Sequence, residues 1–178
     1  PAPRLHPGRR FDHESELAVI IGRTASNVRR EDAWGHVFGY CCLIDATMRI
    51  ERGVAEEGGS MRKSFRGFSP LGPWITTADE VPDPHILANR LWVNGELRQD
   101  ANTADMIVNV PELIELISSV VDLQPGDVVA TGTPEGVGPV VAGDELRIAI
   151  ESVGEMRITV TQAESQSPRV FGITGLNN

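Results

Sequence analysis

The stretch HESELAVIIG at residues 13–22 joins two acidic side chains directly to an apolar run. Residues 16–22 are rich in β-branched side chains and end at a glycine, which predicts a strand with at least one buried face. Residues two apart in a strand point to the same face, so Glu14 and Glu16 should lie side by side. Their carboxylates repel, and a divalent cation would offset that repulsion. The alternative is a strand that simply begins in solvent.

A second apolar run, at residues 38–45, predicts another buried strand that ends at Asp45. A carboxylate directly after a buried run needs a partner. Arg49, four residues on, would supply one as a structural ion pair. The other interpretation is a third oxygen ligand beside Glu14 and Glu16. Three carboxylates without a nearby thiolate favour Mg²⁺, Mn²⁺ or Ca²⁺ over Zn²⁺.

Most of the remaining elements are predicted to be strands. Asn94-Gly95 within residues 87–99 is typical of a hairpin with a type I′ turn. A second hairpin is predicted from residues 145–151 and 155–161, and another strand at residues 127–131.

Two helices are predicted, and the clearer one covers residues 111–121. Pro111 suits a first helical position, with Asn109 or Val110 before it. Its apolar face would be formed by Leu113, Ile114, Ile117, Val120 and Val121. A short helix is expected at residues 31–37, starting near Ser26 or Asn27. Because strands outnumber helices and no βαβα alternation occurs, the sequence predicts a mainly β, α+β fold.

Composition excludes several classes of function. The net charge is −9, with 25 acidic against 16 basic residues, and the pairs Arg9-Arg10 and Arg29-Arg30 are too short to form a nucleic-acid-binding stripe. No apolar run is long enough to span a bilayer, so no membrane partner is expected. The adjacent Cys41 and Cys42 are poorly placed for a disulfide and are expected as buried thiols, which fits a cytoplasmic protein.

The chain is expected to divide into an N-terminal arm (residues 1–10), one folded domain (11–162) and a C-terminal tail (163–178). The arm is rich in Pro and Arg, which indicates an extended segment or the trimmed end of a longer chain rather than a signal peptide. Residues 49–62 are polar and glycine-rich, which predicts a mobile loop.

Five segments, taken together and in this order, resemble the fumarylacetoacetate hydrolase family, in particular its small members of the acylpyruvate hydrolase and 2-hydroxyhepta-2,4-diene-1,7-dioate isomerase type. The resemblance covers residues 11–161. The segments are HESELAVIIG at 13–22, FGY at 38–40 running into Asp45, RKSF at 62–65 with PLGPW at 70–74, WVNGE at 92–96 with RQ at 98–99, and PGDV at 125–128 with TGTPEGVG at 131–138.

The resemblance implies a mixed β-sandwich roll with few helices, commonly assembled as a homodimer, and a role in aromatic catabolism. It implies that Glu14, Glu16 and Asp45 bind Mg²⁺ or Mn²⁺. Substrate contacts are implied for Lys63, for Thr133 with the Gly132 backbone nearby, and for Arg49, which matches a position near the substrate carboxylate. From the residues alone, Lys63 would be a surface lysine beside Arg62, and Gly132-Thr133 an ordinary tight turn.

The implied chemistry starts from a small 2-oxo acid whose carboxylate and keto oxygen chelate one metal ion. The metal stabilises an enolate, and Lys63 adds a positive charge as a catalytic residue. Hydrolysis of a C–C bond in an acylpyruvate or β-diketo acid would follow. Decarboxylation or isomerisation of a 2-oxo (di)carboxylic acid is an alternative, and so is a metal-binding protein without catalysis.

The sequence departs from the family pattern in three places. Ile44 stands where Asn is usual, and Arg52 stands near a position where some members have Gln. The N-terminal stretch contains His6 but no motif that matches the lid histidine of several members. His13 should point away from Glu14, which predicts a structural role, while Glu56 and Glu57 could approach the site if their loop closes.

Overall fold

The computed structural model describes residues 4–5, 9–49 and 60–162. Within these residues it contains strands, one α-helix and four short 3₁₀ helices. The strands are β1 (Arg4–Leu5), β2 (Phe11–His13), β3 (Ser15–Ile21), β4 (Val37–Ile44), β5 (Thr47–Met48), β6 (Leu71–Thr77), β7 (Ala88–Val93), β8 (Glu96–Asn102), β9 (Val128–Ala130), β10 (Gly138–Val140), β11 (Glu145–Ile150), β12 (Gly154–Thr159) and β13 (Thr161–Gln162). The helix is α1 (Val110–Ser118), and the 3₁₀ helices are Arg30–His36, Met61–Lys63, Ala78–Glu80 and Thr103–Asp105. The predicted mainly β, α+β class is confirmed.

The two predicted apolar strands, β3 and β4, pair antiparallel at the centre of a four-stranded sheet with the order β6-β4-β3-β9. Their alternate residues, such as Leu17 and Cys42, face the main core. The opposite side chains of both strands, such as Ala18 and Cys41, form a second, smaller buried cluster. Because both faces are covered there, residues 17–21 of β3 and 40–44 of β4 are apolar on both faces. Both cysteines are buried free thiols, as predicted.

The second four-stranded sheet, β12-β11-β7-β8, is built from the two predicted hairpins. Asn94 and Gly95 have φ values of 52° and 83°, the left-handed pair that a type I′ turn requires. The other hairpin turns through Ser152, which also has a positive φ of 58°. The inner faces of the two sheets contribute to one continuous core.

A small antiparallel sheet, β10-β2-β5, lies where the central strands begin and end. Strand β2 ends at His13, one residue before Glu14, and β5 begins two residues after Asp45. The small sheet therefore fixes the chain on both sides of the acidic residues. A further short pairing joins β1 to β13 in parallel.

Helix α1 starts where it was predicted but ends earlier. The Asn109 side chain accepts from the Glu112 N–H, and Glu112 bonds back to the Asn109 N–H, which forms a capping box. The prediction that the helix continues to residue 121 is wrong, and Val120 and Val121 are 78% and 54% exposed rather than packed. The chain turns away because Leu123 exchanges backbone hydrogen bonds with Ala25.

The short helix predicted at residues 31–37 is a 3₁₀ helix at Arg30–His36, and the predicted start near Ser26 or Asn27 is wrong. Asn27 instead has a φ of 51° and donates its backbone N–H to the Ser118 carbonyl at the end of α1. The Val28 N–H bonds the Ser118 hydroxyl group. Because Asn27 and Val28 make these contacts with Ser118, they do not form the start of the helix.

Of the predicted mobile loop at residues 49–62, residues 50–59 lie outside the described part of the chain, as do most of the arm and all of the tail. The division into arm, domain and tail stays a prediction. No helix among the described residues is long and apolar enough to cross a membrane.

Candidate metal and substrate site

Glu14, Glu16 and Asp45 converge, and they are called the carboxylate cluster below. Glu14 and Glu16 flank the first residue of β3, and Asp45 follows the last residue of β4, which pairs with Ser15. The Asp45 N–H also donates to the Glu14 carbonyl at 2.8 Å. One carboxylate oxygen from each residue lies within 4.8 Å of the others, and none of the three residues is more than 9% exposed. Oxygen-only donors at this spacing suit a hard divalent cation; metal binding itself stays a prediction.

Two cationic side chains lie against the carboxylate cluster. Lys63 Nζ donates to Glu14 Oε2 at 2.8 Å, to Thr47 Oγ1 at 3.0 Å and, in a short contact, to Asp45 Oδ2. Arg49 binds Glu14 Oε1 through Nη2 at 2.8 Å and Asp12 Oδ2 through Nε at 2.6 Å. The expected alternative of an Asp45–Arg49 ion pair is therefore wrong. Asp45 pairs with Lys63 instead, because the guanidinium group of Arg49 is already paired with Asp12 and Glu14.

Crowding of buried carboxylates changes their acidity. Burial raises the pKa of Glu16 to about 7, and the neighbouring charge of Asp45 adds to the shift. Burial also raises the pKa of Asp45, although its hydrogen bond to Lys63 acts in the opposite direction. Burial opposes the charged form of Lys63, but its bonds to Asp45 and Glu14 outweigh this and raise its pKa. The lysine therefore stays cationic, while Glu16 needs a further positive charge to ionise fully at neutral pH.

The segment at residues 131–138, called the glycine-rich loop below, is attached directly to β3. The Thr131 hydroxyl donates to the Leu17 carbonyl at 2.8 Å, and the Gly132 N–H donates to Glu16 Oε2 at 2.8 Å. Gly132 has a φ of 92°, which favours glycine. Thr133 comes next and accepts a hydrogen bond from Gln99. The loop thus brings Gly132 to the carboxylate cluster, while Thr133 is held one residue further along.

Three residues around the site were not predicted as parts of it. Asp12 is 2% exposed and holds Arg49, Thr47 contacts Lys63, and Gln99 is 1% exposed beneath the glycine-rich loop. Gln99 occupies the inward position of β8, opposite the fully buried Leu91. A long amide side chain at an inward position of a predicted hairpin was the available signal.

None of the three histidines in the described part of the chain is hydrogen-bonded to a carboxylate of the cluster. His13 is fully buried, with Nδ1 at 3.1 Å from Gln99 Oε1. His36 contacts the Arg23 carbonyl at 3.3 Å, and the His85 ring packs against Trp34 with the centroids 5.3 Å apart. The other candidates of the sequence analysis, His6, Arg52, Glu56 and Glu57, lie outside the described residues.

Known proteins resemble the chain over most of its length. Residues 2–161 match the family model described as fumarylacetoacetate (FAA) hydrolase C-terminal. Maleylpyruvate hydrolase of Aquipseudomonas alcaligenes is 50% identical over 155 residues, which are 87% of this chain and 52% of that protein. A bifunctional isomerase/decarboxylase of 4-hydroxyphenylacetate degradation from Salmonella dublin is 42% identical over 153 residues, 86% of this chain and 36% of that protein.

A solved structure gives the same relationship. The crystal structure of maleylpyruvate hydrolase from Sphingobium sp. SYK-6 in complex with manganese(II) and pyruvate matches with a TM-score of 0.82 and 52% identity, over 92% of this chain and 60% of that one. The chain thus spans about half the length of the curated hydrolase that it matches. Because the family model covers residues 2–161, the chain belongs to the fumarylacetoacetate hydrolase family.

Proposed function

We propose that the protein is a divalent-metal-dependent hydrolase that cleaves a C–C bond in a small acylpyruvate or β-diketo acid. The observation that carries the proposal is the carboxylate cluster, in which Lys63 bridges Glu14 and Asp45. The similarity to maleylpyruvate hydrolase, and to a structure of such an enzyme with manganese and pyruvate, supports this substrate class.

The carboxylate cluster would hold the metal ion, with Mn²⁺ or Mg²⁺ as the expected cofactor and Ca²⁺ as a third candidate. When bound, the ion supplies Lewis-acid stabilisation of the negative charge that develops on a 2-oxo acid. Glu16 must be ionised to serve as a ligand, and its raised pKa makes it the ligand most sensitive to pH.

The chain's own residues bind and orient the substrate. Arg49 is fixed by Asp12 and Glu14 and offers its partly exposed guanidinium group to the substrate carboxylate. The hydroxyl of a water molecule adds to the acyl carbonyl, the C–C bond breaks to release a carboxylic acid, and the electron pair of that bond moves to the pyruvate fragment, which takes up the remaining proton of the water. The Lys63 ammonium group stabilises this charge, so Lys63→Met should lower turnover on the order of a hundredfold. Thr133 would complete the substrate contacts through its hydroxyl group, with the backbone of Gly132, whose N–H is bonded to Glu16, lying nearby.

Decarboxylation or isomerisation of a 2-oxo (di)carboxylic acid is the second candidate function. It is favoured by the 42% identity to a bifunctional isomerase/decarboxylase. The carboxylate cluster would serve either reaction, because both stabilise negative charge beside a 2-oxo acid. The carboxylate cluster alone therefore does not distinguish these reactions from hydrolysis.

The test compares three reactions with Mn²⁺ present. Acylpyruvates of increasing chain length are assayed for pyruvate release, oxaloacetate for CO₂ release, and a hydroxydienedioate for a change in ultraviolet absorbance. Pyruvate release from an acylpyruvate that is absent in Asp45→Ala is the expected result. Inactivity on every acylpyruvate, with activity in one of the other assays, would reassign the reaction, and inactivity in all three would leave a metal-binding protein without catalysis.

We also propose that the protein is a cytoplasmic homodimer. Large apolar side chains on the surface, among them Phe38 at 50% and Trp74 at 63% exposure, offer material for an interface. Light scattering should give a mass twice the 19.3 kDa of the chain.

A further inference from the structure

Gln99 is a buried amide with five polar contacts that join two parts of the site. Its Oε1 atom lies 3.0 Å from the Ser15 N and 3.1 Å from His13 Nδ1. These two residues flank Glu14 in the sequence. Its Nε2 atom lies 2.9 Å from Thr133 Oγ1, 3.1 Å from the Pro134 carbonyl and 3.4 Å from the Glu135 carbonyl. Gln99 therefore connects the start of β3 to the glycine-rich loop.

The orientation of this amide is determined by partners that have only one role. The Ser15 backbone N–H can only donate, so it requires Oε1 on its side. The carbonyl oxygens of Pro134 and Glu135 can only accept, so they require the NH₂ group on theirs. A flipped amide would place like against like at all three contacts, in a side chain that is 1% exposed. Gln99 consequently donates, and Thr133 accepts.

This direction determines what the Thr133 hydroxyl group can do. A hydroxyl oxygen that accepts from Gln99 keeps its own hydrogen for donation. Among the described residues, no second hydrogen-bond partner of that hydroxyl group is observed, and Thr133 is partly exposed. Its neighbour Gly132 bonds Glu16 of the carboxylate cluster. A hydroxyl hydrogen presented here attracts an anion, whereas a presented lone pair would repel it.

We propose that Gln99 is a positioning residue that acts through Thr133: it occupies a lone pair of the hydroxyl oxygen, so that Thr133 donates to the carboxylate of a bound 2-oxo acid. The proposal rests on the proposed function for the identity of the anion. It assigns to Gln99 a role in substrate binding rather than in metal binding.

The test is a double-mutant cycle measured by calorimetry. Mn²⁺ is titrated first, and oxalate is then titrated into the Mn²⁺-loaded protein, for the wild type, Gln99→Met, Thr133→Val and the double variant. Thr133→Val should weaken oxalate binding roughly tenfold, because it removes one hydrogen bond to a charged group. Gln99→Met should lose part of that affinity, and the double variant should bind no more weakly than Thr133→Val. Mn²⁺ affinity should be the same in all four proteins.

The chain provides a matched control pair, because the exposed Thr24 hydroxyl donates to Gln124 Oε1 at 3.2 Å. Thr24→Val and Gln124→Met should change neither affinity. If Gln99→Met does not fold, Gln99→Glu replaces it, since its carboxylate reverses the bond to Thr133 and should reproduce the loss seen in Thr133→Val.

Four results would overturn the proposal. Unchanged oxalate binding in Thr133→Val would show that the Thr133 hydroxyl group does not contact the anion. Additive losses in the double variant, or a loss of Mn²⁺ affinity in Gln99→Met that parallels the loss of oxalate affinity, would make Gln99 a structural clamp of the loop. A wild-type protein that binds no Mn²⁺ refutes the proposed function as well, and this result is distinguishable because it appears before oxalate is added.

Discussion

Glu16 is a candidate metal ligand whose burial disfavours the ionised form of its carboxyl group. Its pKa of about 7 lies above the ordinary 4.5, so between these values the folded, metal-free protein holds a proton that the unfolded chain has released. The free energy of unfolding should therefore fall as pH rises through this window, by at most on the order of 3 kcal/mol. Urea unfolding of metal-free protein at several pH values measures the slope.

A bound cation reverses this preference, because it requires the ionised form. Mn²⁺ affinity should thus rise with pH up to about 7 and then level off, with proton release on binding below that value. The Glu16→Gln variant serves as the control because its side chain cannot titrate. The pH dependence of its free energy of unfolding should therefore lack the contribution of Glu16. A wild type and a Glu16→Gln variant with identical slopes would contradict the account.

Lys63 is the only lysine in the sequence, which makes it a selective probe of the site. Incorporation of carbon-13-labelled lysine gives a single lysine side-chain resonance and leaves the ammonium group free to keep its hydrogen bonds to Glu14, Asp45 and Thr47. The Lys63 resonance should titrate above the ordinary range of lysine because of its bonds to Asp45 and Glu14. Added Mn²⁺ should broaden it strongly in the wild type and leave it sharp in Asp45→Ala. Equal sharpness in both proteins would place the metal elsewhere.

At the residue scale, the three candidate carboxylates lie together in the structure, but the sequence did not predict their cationic partners. Asp45 could be matched to Arg49 from spacing alone, whereas the observed partner, Lys63, is 18 positions away. The choice depends on Asp12, which occupies Arg49. Buried polar contacts between distant segments leave no periodic signal in the sequence, so the inward position of Gln99 in its hairpin could be read from the sequence but its partners could not.

At the scale of elements, the glycine-rich loop is the segment most closely coupled to the site, and two glycines separate the effects of backbone angle and crowding. Gly95 and Gly136 have φ values of 83° and 89°. A Cβ at Gly95 meets nothing within 4 Å, whereas one at Gly136 would lie 2.1 Å from the Arg98 carbonyl oxygen. Gly95→Ala should cost about 1 kcal/mol of unfolding free energy, the typical cost of a left-handed alanine.

Gly136→Ala should cost more than about 3 kcal/mol, or displace the loop, because backbone must move as well. Urea unfolding of both variants compares the free energies, and oxalate binding to the Mn²⁺-loaded protein reports on the loop. Equal destabilisation by the two substitutions would show that the close approach of the loop to β8 is absent in solution.

The elements that were predicted correctly are determined by residues that lie close together in the sequence. The Asn94-Gly95 turn and the start of α1 beside Pro111 depend on a few adjacent residues, and both were predicted, although the capping box between Asn109 and Glu112 was not. The predicted end of α1 and the predicted start of the 3₁₀ helix at Arg30–His36 were wrong, because each depends on a contact with a segment that is distant in the sequence. Ser118 binds the Asn27 N–H, and Leu123 pairs with Ala25.

At the scale of the whole molecule, the site forms where separate sheets meet. Strands β3 and β4 supply the carboxylate cluster, the small sheet β10-β2-β5 fixes the chain beside it, and β8 supports the glycine-rich loop from below. These segments are spread over more than a hundred residues, so local patterns predicted β3, β4 and the two hairpins but neither the strands of the small sheet nor the arrangement of the sheets. The ordered resemblance to a family supplied the arrangement that local patterns could not.

The central claim is that the carboxylate cluster binds a divalent metal ion that in turn binds a 2-oxo acid. Calorimetric titration of Mn²⁺, with and without oxalate, into the wild type, Asp45→Ala and Asp122→Ala tests it, with the exposed Asp122 as the matched control. The wild type and Asp122→Ala should bind Mn²⁺, oxalate should tighten that binding, and Asp45→Ala should lose both effects. A wild type that binds neither Mn²⁺ nor Mg²⁺, or an Asp45→Ala variant that binds them equally well, would contradict the claim.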